Sequence, residues 1–404
     1  MMTELSAGFL PLTDSAILIA AREKGFAEAE GIDLKLVRET SWANVRDKLA
    51  VGQYEIAHAL APMPIASNLG LTPFDTSFIA PMALGLGGNA ITVSNRLLAA
   101  MQECVDFTIM NAREAGKALA EAVRARQAEG GKRLQFAVVH PFSGHNFELR
   151  YWLAASGVAP DRDIEIVILP PSLMADALAT GQIDGYCVGE PWNSVGVDKG
   201  AGRIIATKSS IWASSPEKVL AVRESWAEEN TETLHALLRA LYRSAEWCGQ
   251  AGNHAELAAI LSAQAYLGQP SRLILPALDG SIVAREGEGA TPDFFQPHAR
   301  AATFPWQSHA LWFYSQMVRW GYVGHSAANA EIARRSYRPD IYRAVLSAMK
   351  VPVPSANSKV EGALRQTIAV GASSQFLYLG PDGFFDGAVF DPDRLDAYIN
   401  SQKD

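Results

Sequence analysis

One phrase occurs twice in this chain, and the repetition limits the folds open to it. Asp47-Lys-Leu-Ala-Val-Gly-Gln-Tyr-Glu-Ile-Ala-His-Ala-Leu-Ala-Pro62 returns in outline as Asp176-Ala-Leu-Ala-Thr-Gly-Gln-Ile-Asp-Gly-Tyr-Cys-Val-Gly-Glu-Pro191. Asp, Leu-Ala, Gly-Gln, an acidic residue and Pro fall at matching offsets. Each copy reads as the end of a helix, a Gly-Gln stop, a short buried strand and a proline at the strand's carboxyl end. Upstream the order also matches. A helix over 16–29 and a strand over 32–38 parallel a helix over 144–156 and a strand over 164–169. Two similar βαβαβ units predict an α/β protein of two lobes facing each other. Their ligand crevice is expected at the carboxyl ends of the strands, where open parallel sheets bind.

Composition fits two or three cores. Of 404 residues 49% are hydrophobic and 19% charged, which is not the make-up of a disordered chain. A formal charge of −8 argues against direct binding of nucleic acid. It also means that an anion site must create its own positive potential from backbone N–H groups, helix N-termini and one or two cations. The three cysteines, Cys104, Cys187 and Cys248, have no metal-ligand spacing. Cys248 continues the apolar face of Leu234, Leu237, Leu238 and Leu241 and reads as a core thiol. No stretch approaches the length of a membrane span. The first ten residues run almost directly into the first predicted strand without a basic, apolar, small-residue leader, so a cytoplasmic location is the expectation.

Four segments follow from the pattern: residues 5–91 as the first part of lobe 1, 92–206 as lobe 2, 207–330 as a return to lobe 1 with added helices, and 331–404 as a wrapping segment. The Gly-rich stretch from Gly85 to Val93 is the expected first crossing between lobes, and the strand beginning at Lys218 follows the second. From 253 onward the pattern reads as helices and long polar loops.

Candidate ligand residues cluster at the predicted strand ends. Trp42 opens a helix behind a capping Ser41; its ring is either an ordinary core tryptophan or a flat face for a flat ligand. His145, in His140-Pro-Phe-Ser-Gly-His145, would stand in the first turn of a helix, either a donor beside an anion site or a capping or surface residue. Ser143 lies outside a Gly-x-Ser-x-Gly elbow, and no triad order follows it. Gly189 ends the second repeat where backbone can approach a ligand closely. Lys218 starts the returning strand, a position usually occupied by a solvated charge. The remaining histidines fit no zinc spacing, and no carboxylates are forced together by the pattern.

These segments resemble the nitrate/bicarbonate-binding proteins of ABC importers (NrtA- and CmpA-like), and most closely their leaderless relatives, the NasS-type nitrate sensors. The likeness is carried by Gly8-Phe-Leu-Pro-Leu-Thr-Asp14, Ser41-Trp-Ala-Asn-Val-Arg-Asp-Lys48, Ala59-Leu-Ala-Pro-Met-Pro64 and Gly87-Gly-Asn-Ala-Ile-Thr92. It continues in His140-Pro-Phe-Ser-Gly-His145, Arg150-Tyr-Trp-Leu153, Val188-Gly-Glu-Pro-Trp-Asn193 and Pro216-Glu-Lys-Val-Leu220. The resemblance implies a two-lobed periplasmic-binding-protein-like fold of type II with an anion in the cleft, and no metal, cofactor or enzymatic activity. Trp42 would pack on the anion, Asn89 (usually glutamine in the importer relatives), His145 and Lys218 would donate to it, and Gly189 would offer backbone. Lysine at 218 goes with nitrate rather than with the bicarbonate branch, where an acidic residue accompanies a bound cation. Nitrate is planar and monovalent with three acceptor oxygens, so donors and one aromatic face suit it, while an inward acidic residue would oppose it.

The implied function is a cytoplasmic nitrate or nitrite sensor that releases an RNA-binding antiterminator of the NasT (ANTAR) type. The alternatives are an importer's extracytoplasmic binding protein and, from another class, an enzyme acting on a thiamin-like precursor.

Overall fold

Both Gly-Gln stops end their helices in the same way. In the computed structural model, which describes residues 2–282, 291, 293–371 and 375–402, Gly52 and Gly181 take φ of 74° and 73°. This left-handed conformation is one that side chains resist. Gly52 N–H donates to Leu49 O and Gln53 N–H to Lys48 O; Gly181 and Gln182 repeat the pattern on Leu178 O and Ala177 O. Helices Trp42–Ala50 and Met174–Ala179 are thereby closed by the same paired bonds, and each chain turns into a short buried strand.

The strands in chain order are β1 (Thr3–Phe9), β2 (Ile32–Arg38), β3 (Ile56–Leu60), β4 (Phe78–Ala83), β5 (Leu86–Gly87), β6 (Asn89–Ser94) and β7 (Leu134–Val138). They continue with β8 (Ile164–Ile168), β9 (Gly185–Gly189), β10 (Gly202–Thr207), β11 (Lys218–Arg223), β12 (Phe295–Gln296), β13 (Ile368–Gly371) and β14 (Phe376–Leu379). One sheet has the order β2-β1-β3-β11-β4 and the other β8-β7-β9-β6-β10. In each, three parallel strands from one repeat are followed by an antiparallel strand. The correspondence extends to register: Lys218 opens β11 opposite Leu60, the last residue of β3, and Asn89 opens β6 opposite Gly189, the last residue of β9. The fold is a mixed α/β protein of the two-lobed, periplasmic-binding-protein-like class. Strands β3, β4, β6 and β9 are buried along their whole length, as strands covered on both faces must be.

The chain crosses between the sheets at residues 84–88 and 208–217, and the two crossings brace each other. Gly87 N–H donates to Ser215 O at 2.9 Å, and Leu84 N–H to Lys218 O at 2.8 Å. Strand β12 pairs with β5 beside them. Past these elements the chain packs against both sheets' helices. Trp312 and Phe313 of helix Gln307–Arg319 are fully buried, Tyr337 donates to Ala61 O, and Phe384 stacks on Trp212 at 4.6 Å. The reading of the chain past residue 253 as helices and loops needs correction at β12 and again further on. Strands β13 and β14 form an antiparallel hairpin, with Leu377 and Leu379 inward and Phe376 and Tyr378 exposed. Among the described residues no helix is long and apolar enough to cross a membrane.

Candidate functional site

Strand ends and helix starts from both lobes converge on one buried point. Lys218 begins β11, and Asn89 and Gly189 face each other across β6 and β9. His145 lies in the first turn of helix Gly144–Ala155, where Ser143 Oγ accepts from Asn146 N–H. Trp42 opens helix Trp42–Ala50 beneath Ser41, whose Oγ accepts from Asn44 N–H. The structure therefore brings all five sequence-derived candidates to the facing edges of the two sheets. His145 and Lys218 are 0% exposed, and Trp42 and Asn89 1%. The ordinary reading of Lys218 as a solvated charge does not hold. Its ammonium lies 5.4 Å from the centre of the Trp42 ring, within cation–π range.

Charged partners that the pattern did not single out surround these residues. Asp14, in the short turn after β1, contacts Lys218 Nζ at 2.7 Å through Oδ2 and His58 Nε2 at 3.0 Å through Oδ1. The His58 ring, from β3, is 5.5 Å from that of Trp42. Glu217 Oε1 meets Lys218 Nζ at 2.6 Å and His145 Nδ1 at 3.3 Å. Its Oε2 accepts from Lys208 Nζ, which also meets Glu148 at 2.5 Å. Every one of these groups is at least 97% buried. Glu148 and Glu217 thus share one lysine, although their spacing in the sequence gave no sign of it. An arrangement of donors and one aromatic face alone is not what forms, because Asp14 and Glu217 point inward. Each is tolerated because a lysine neutralises it.

Electrostatics follows from that burial. Burial alone would raise the Asp14 carboxyl, but Lys218 and His58 outweigh it and hold it well below the usual carboxylate range. Burial likewise opposes the Glu217 charge, and its cationic neighbours, Lys208 and Lys218 among them, keep it ionised. Burial pushes the His145 imidazole down to about 3 despite Glu217, and lowers His58 as well. Both rings are therefore neutral near pH 7.

Several polar atoms at this point lack an aligned hydrogen-bond partner within the protein: Asn89 Oδ1 and Nδ2, Trp42 Nε1, and both ring nitrogens of His58 and His145. An orphaned buried amide or imidazole costs about 1–3 kcal/mol, so a concentration of them marks a candidate ligand position. Gly189 keeps that position open. A Cβ there would come within 3.3 Å of Asn89 Oδ1 and 3.6 Å of Asp14 Oδ2. Among the described residues no cluster of His, Cys, Asp or Glu is arranged to hold a metal ion. Beside the acceptor oxygens of Asp14 and Asn89, the point offers amide, indole and imidazole N–H groups and an ammonium, a donor set that suits an anion.

Comparison with known proteins agrees in kind. The profile of the NMT1-like family matches residues 2–262. The nitrate/nitrite binding protein NrtA of Synechococcus elongatus is 32% identical over 413 aligned positions, covering 99% of this chain and 86% of that protein. The bicarbonate-binding protein CmpA of a Synechococcus strain is 29% identical with the same coverage, 99% and 86%. The crystal structure of the periplasmic nitrate-binding protein NrtA from Synechocystis superposes with a TM-score of 0.85 at 28% identity, over 100% of this chain and 99% of that one.

Proposed function

The chain belongs to the NMT1-like family, in its NrtA/CmpA-like nitrate/bicarbonate-binding branch, and from that premise we propose that it captures nitrate or nitrite between its lobes without chemical turnover. The observation that carries the proposal is the buried set of unpartnered N–H groups gathered around Lys218 and the Trp42 ring. The anion lies against Trp42 and accepts from Asn89, His145 and Lys218, with Gly189 leaving room for it. These groups are closed off from solvent, so the lobes must part to admit a ligand. Contacts that then open are Thr13 N–H to Glu190 O at 2.7 Å and Trp192 Nε1–H to Pro11 O at 3.0 Å.

In this reading the protein is a cytoplasmic sensor whose lobes close on the anion and so change its affinity for an ANTAR-type antiterminator. The reading rests on the sequence resemblance to NasS-type sensors. The second reading, an importer's extracytoplasmic binding subunit, is favoured by the likeness to the periplasmic NrtA. Co-elution with the candidate antiterminator, with and without nitrate, separates them: nitrate-dependent release supports the sensor, and no complex in either condition supports the importer subunit. Capture itself is tested by tryptophan fluorescence. Nitrate should change the emission of the native chain but not of Trp42→Phe. An equal response in the variant would remove Trp42 from the site.

A further inference from the structure

Glu217 belongs to none of the ligand-facing positions, yet it is the hub of the cluster. Its Oε1 is shared by Lys218 Nζ at 2.6 Å and His145 Nδ1 at 3.3 Å, and its Oε2 accepts from Lys208. The chain makes room for it. A Cβ on Gly144, next to His145, would stand 2.2 Å from Glu217 Oε2, closer than atoms can approach, so this carboxylate and this helix start are fitted to each other.

The geometry sets a problem that a neutral imidazole cannot solve. Neither ring nitrogen of His145 has an aligned partner, but a carboxylate oxygen stands 3.3 Å from Nδ1, while Nε2 is buried away from it. A neutral ring has one N–H and one lone pair. With the proton on Nδ1 it serves Glu217 and turns a lone pair toward the anion; with the proton on Nε2 it serves the anion and turns a lone pair toward Glu217. Only the imidazolium donates to both.

We propose that Glu217 acts through His145 as a positioning residue that makes anion capture proton-coupled, so that the cleft takes up one proton on His145 with each monovalent anion. The inference rests on the reading of the cleft as a nitrate site. Charge balance supports it. The groups around His145 are Glu217 and Lys218 at the start of β11, Lys208 after β10, Asp14 after β1, His58 on β3 and Glu148 one turn along its own helix. Burial pushes the Glu148 carboxyl up to about 7. With it protonated and both imidazoles neutral, Asp14 and Glu217 are matched by Lys218 and Lys208, so an added anion enters a buried cluster with no positive charge to spare. One proton restores the balance, and it sits between the two anions that need it. Selectivity follows: a dianion would demand a second proton and is disfavoured.

The test is titration calorimetry of the whole chain with nitrate at pH 6, 7 and 8, each in two buffers of different ionisation enthalpy. The dependence of the heat on the buffer counts the protons exchanged. The expected result is uptake approaching one proton per nitrate, with Kd rising by up to about tenfold per pH unit. In Glu217→Gln and in His145→Gln, which keeps an amide donor but does not titrate, uptake should vanish and Kd should be flat across this range. Native protein that binds nitrate with no net proton exchange overturns the proposal, as does full uptake persisting in a folded His145→Gln. Folded native protein that gives no nitrate heat at pH 6 overturns the nitrate reading itself, and the two failures are therefore distinguishable.

Discussion

At the scale of the residue, Lys218 has two tasks that can be measured separately. It neutralises Asp14 and Glu217 inside the protein and presents its remaining donor capacity beneath Trp42. Lys218→Ala leaves two buried carboxylates short of a cation, so the unfolding free energy should fall by roughly 3–5 kcal/mol in denaturant titration. Nitrate affinity should fall by about 1.5–3 kcal/mol, as for a hydrogen bond to a charged partner. A variant unchanged in both would place Lys218 outside the network. The same burial gives the ligand-free protein a definite acid response. His145 is held at about 3 when folded and returns to about 6.5 when unfolded. Between those values the unfolded chain binds the extra proton, and stability present above that window is lost as pH falls through it. Asp14, whose folded carboxyl is depressed, acts in the same direction below about 4. Glu148 and Glu190, whose carboxyls burial raises to about 7, act in the opposite direction over the His145 range, so His145 is read by difference. On acidification from pH 6.5 to 4 the melting temperature of the native chain should fall more than that of His145→Gln, and equal profiles would mean that His145 is solvated.

At the scale of the element, the Gly-Gln stops were legible because their chemistry is local. A left-handed glycine after a helix satisfies the last carbonyls whatever the rest of the chain does. Gly181→Ala meets no atom within 4 Å of the added Cβ, so only backbone strain is felt, about 1–2 kcal/mol of stability, with anion affinity unchanged. Gly189→Ala should do the reverse. The added Cβ meets Leu12 and Asn89 at 3.2 and 3.3 Å, in the ligand's own space, and calorimetry should show weakened binding with little loss of stability. The hairpin β13–β14 was not legible. Four-residue strands carry too little alternation to stand out, and their inward Leu377 and Leu379 have meaning only once the core they meet is in place. The partners of Lys218 escaped for a similar reason. An acid beside a lysine in Glu217-Lys218, or an aspartate after Leu-Thr, is usually surface chemistry. The apolar runs flanking Asp14 and Lys218 were the available signal, but the pairing of Asp14 with Lys218 joins residues more than two hundred positions apart.

At the scale of the whole molecule, the duplication explains why donors from distant segments meet. Asn89 and Lys218 occupy corresponding places in the two sheets, each opening the antiparallel strand beside the end of a parallel one. Facing the sheets end to end therefore sets one donor from each lobe across the same point. The two braced crossings give the lobes a hinge, and a ligand held by both favours the closed form. If an antiterminator recognises the open form, linkage requires it to weaken nitrate binding by the same factor that nitrate weakens the complex, on the order of 5–150-fold. Equal affinity of the complex with and without nitrate would leave an anion-binding protein with no sensing role. The central claim is that the cleft holds nitrate or nitrite in preference to bicarbonate, and calorimetric titration of the purified chain with all three anions at pH 7 tests it most directly. The expected result is a single site that takes nitrate or nitrite and binds bicarbonate more weakly, abolished or strongly weakened in Lys218→Ala; tighter binding of bicarbonate, or no heat with any of the three, would contradict it.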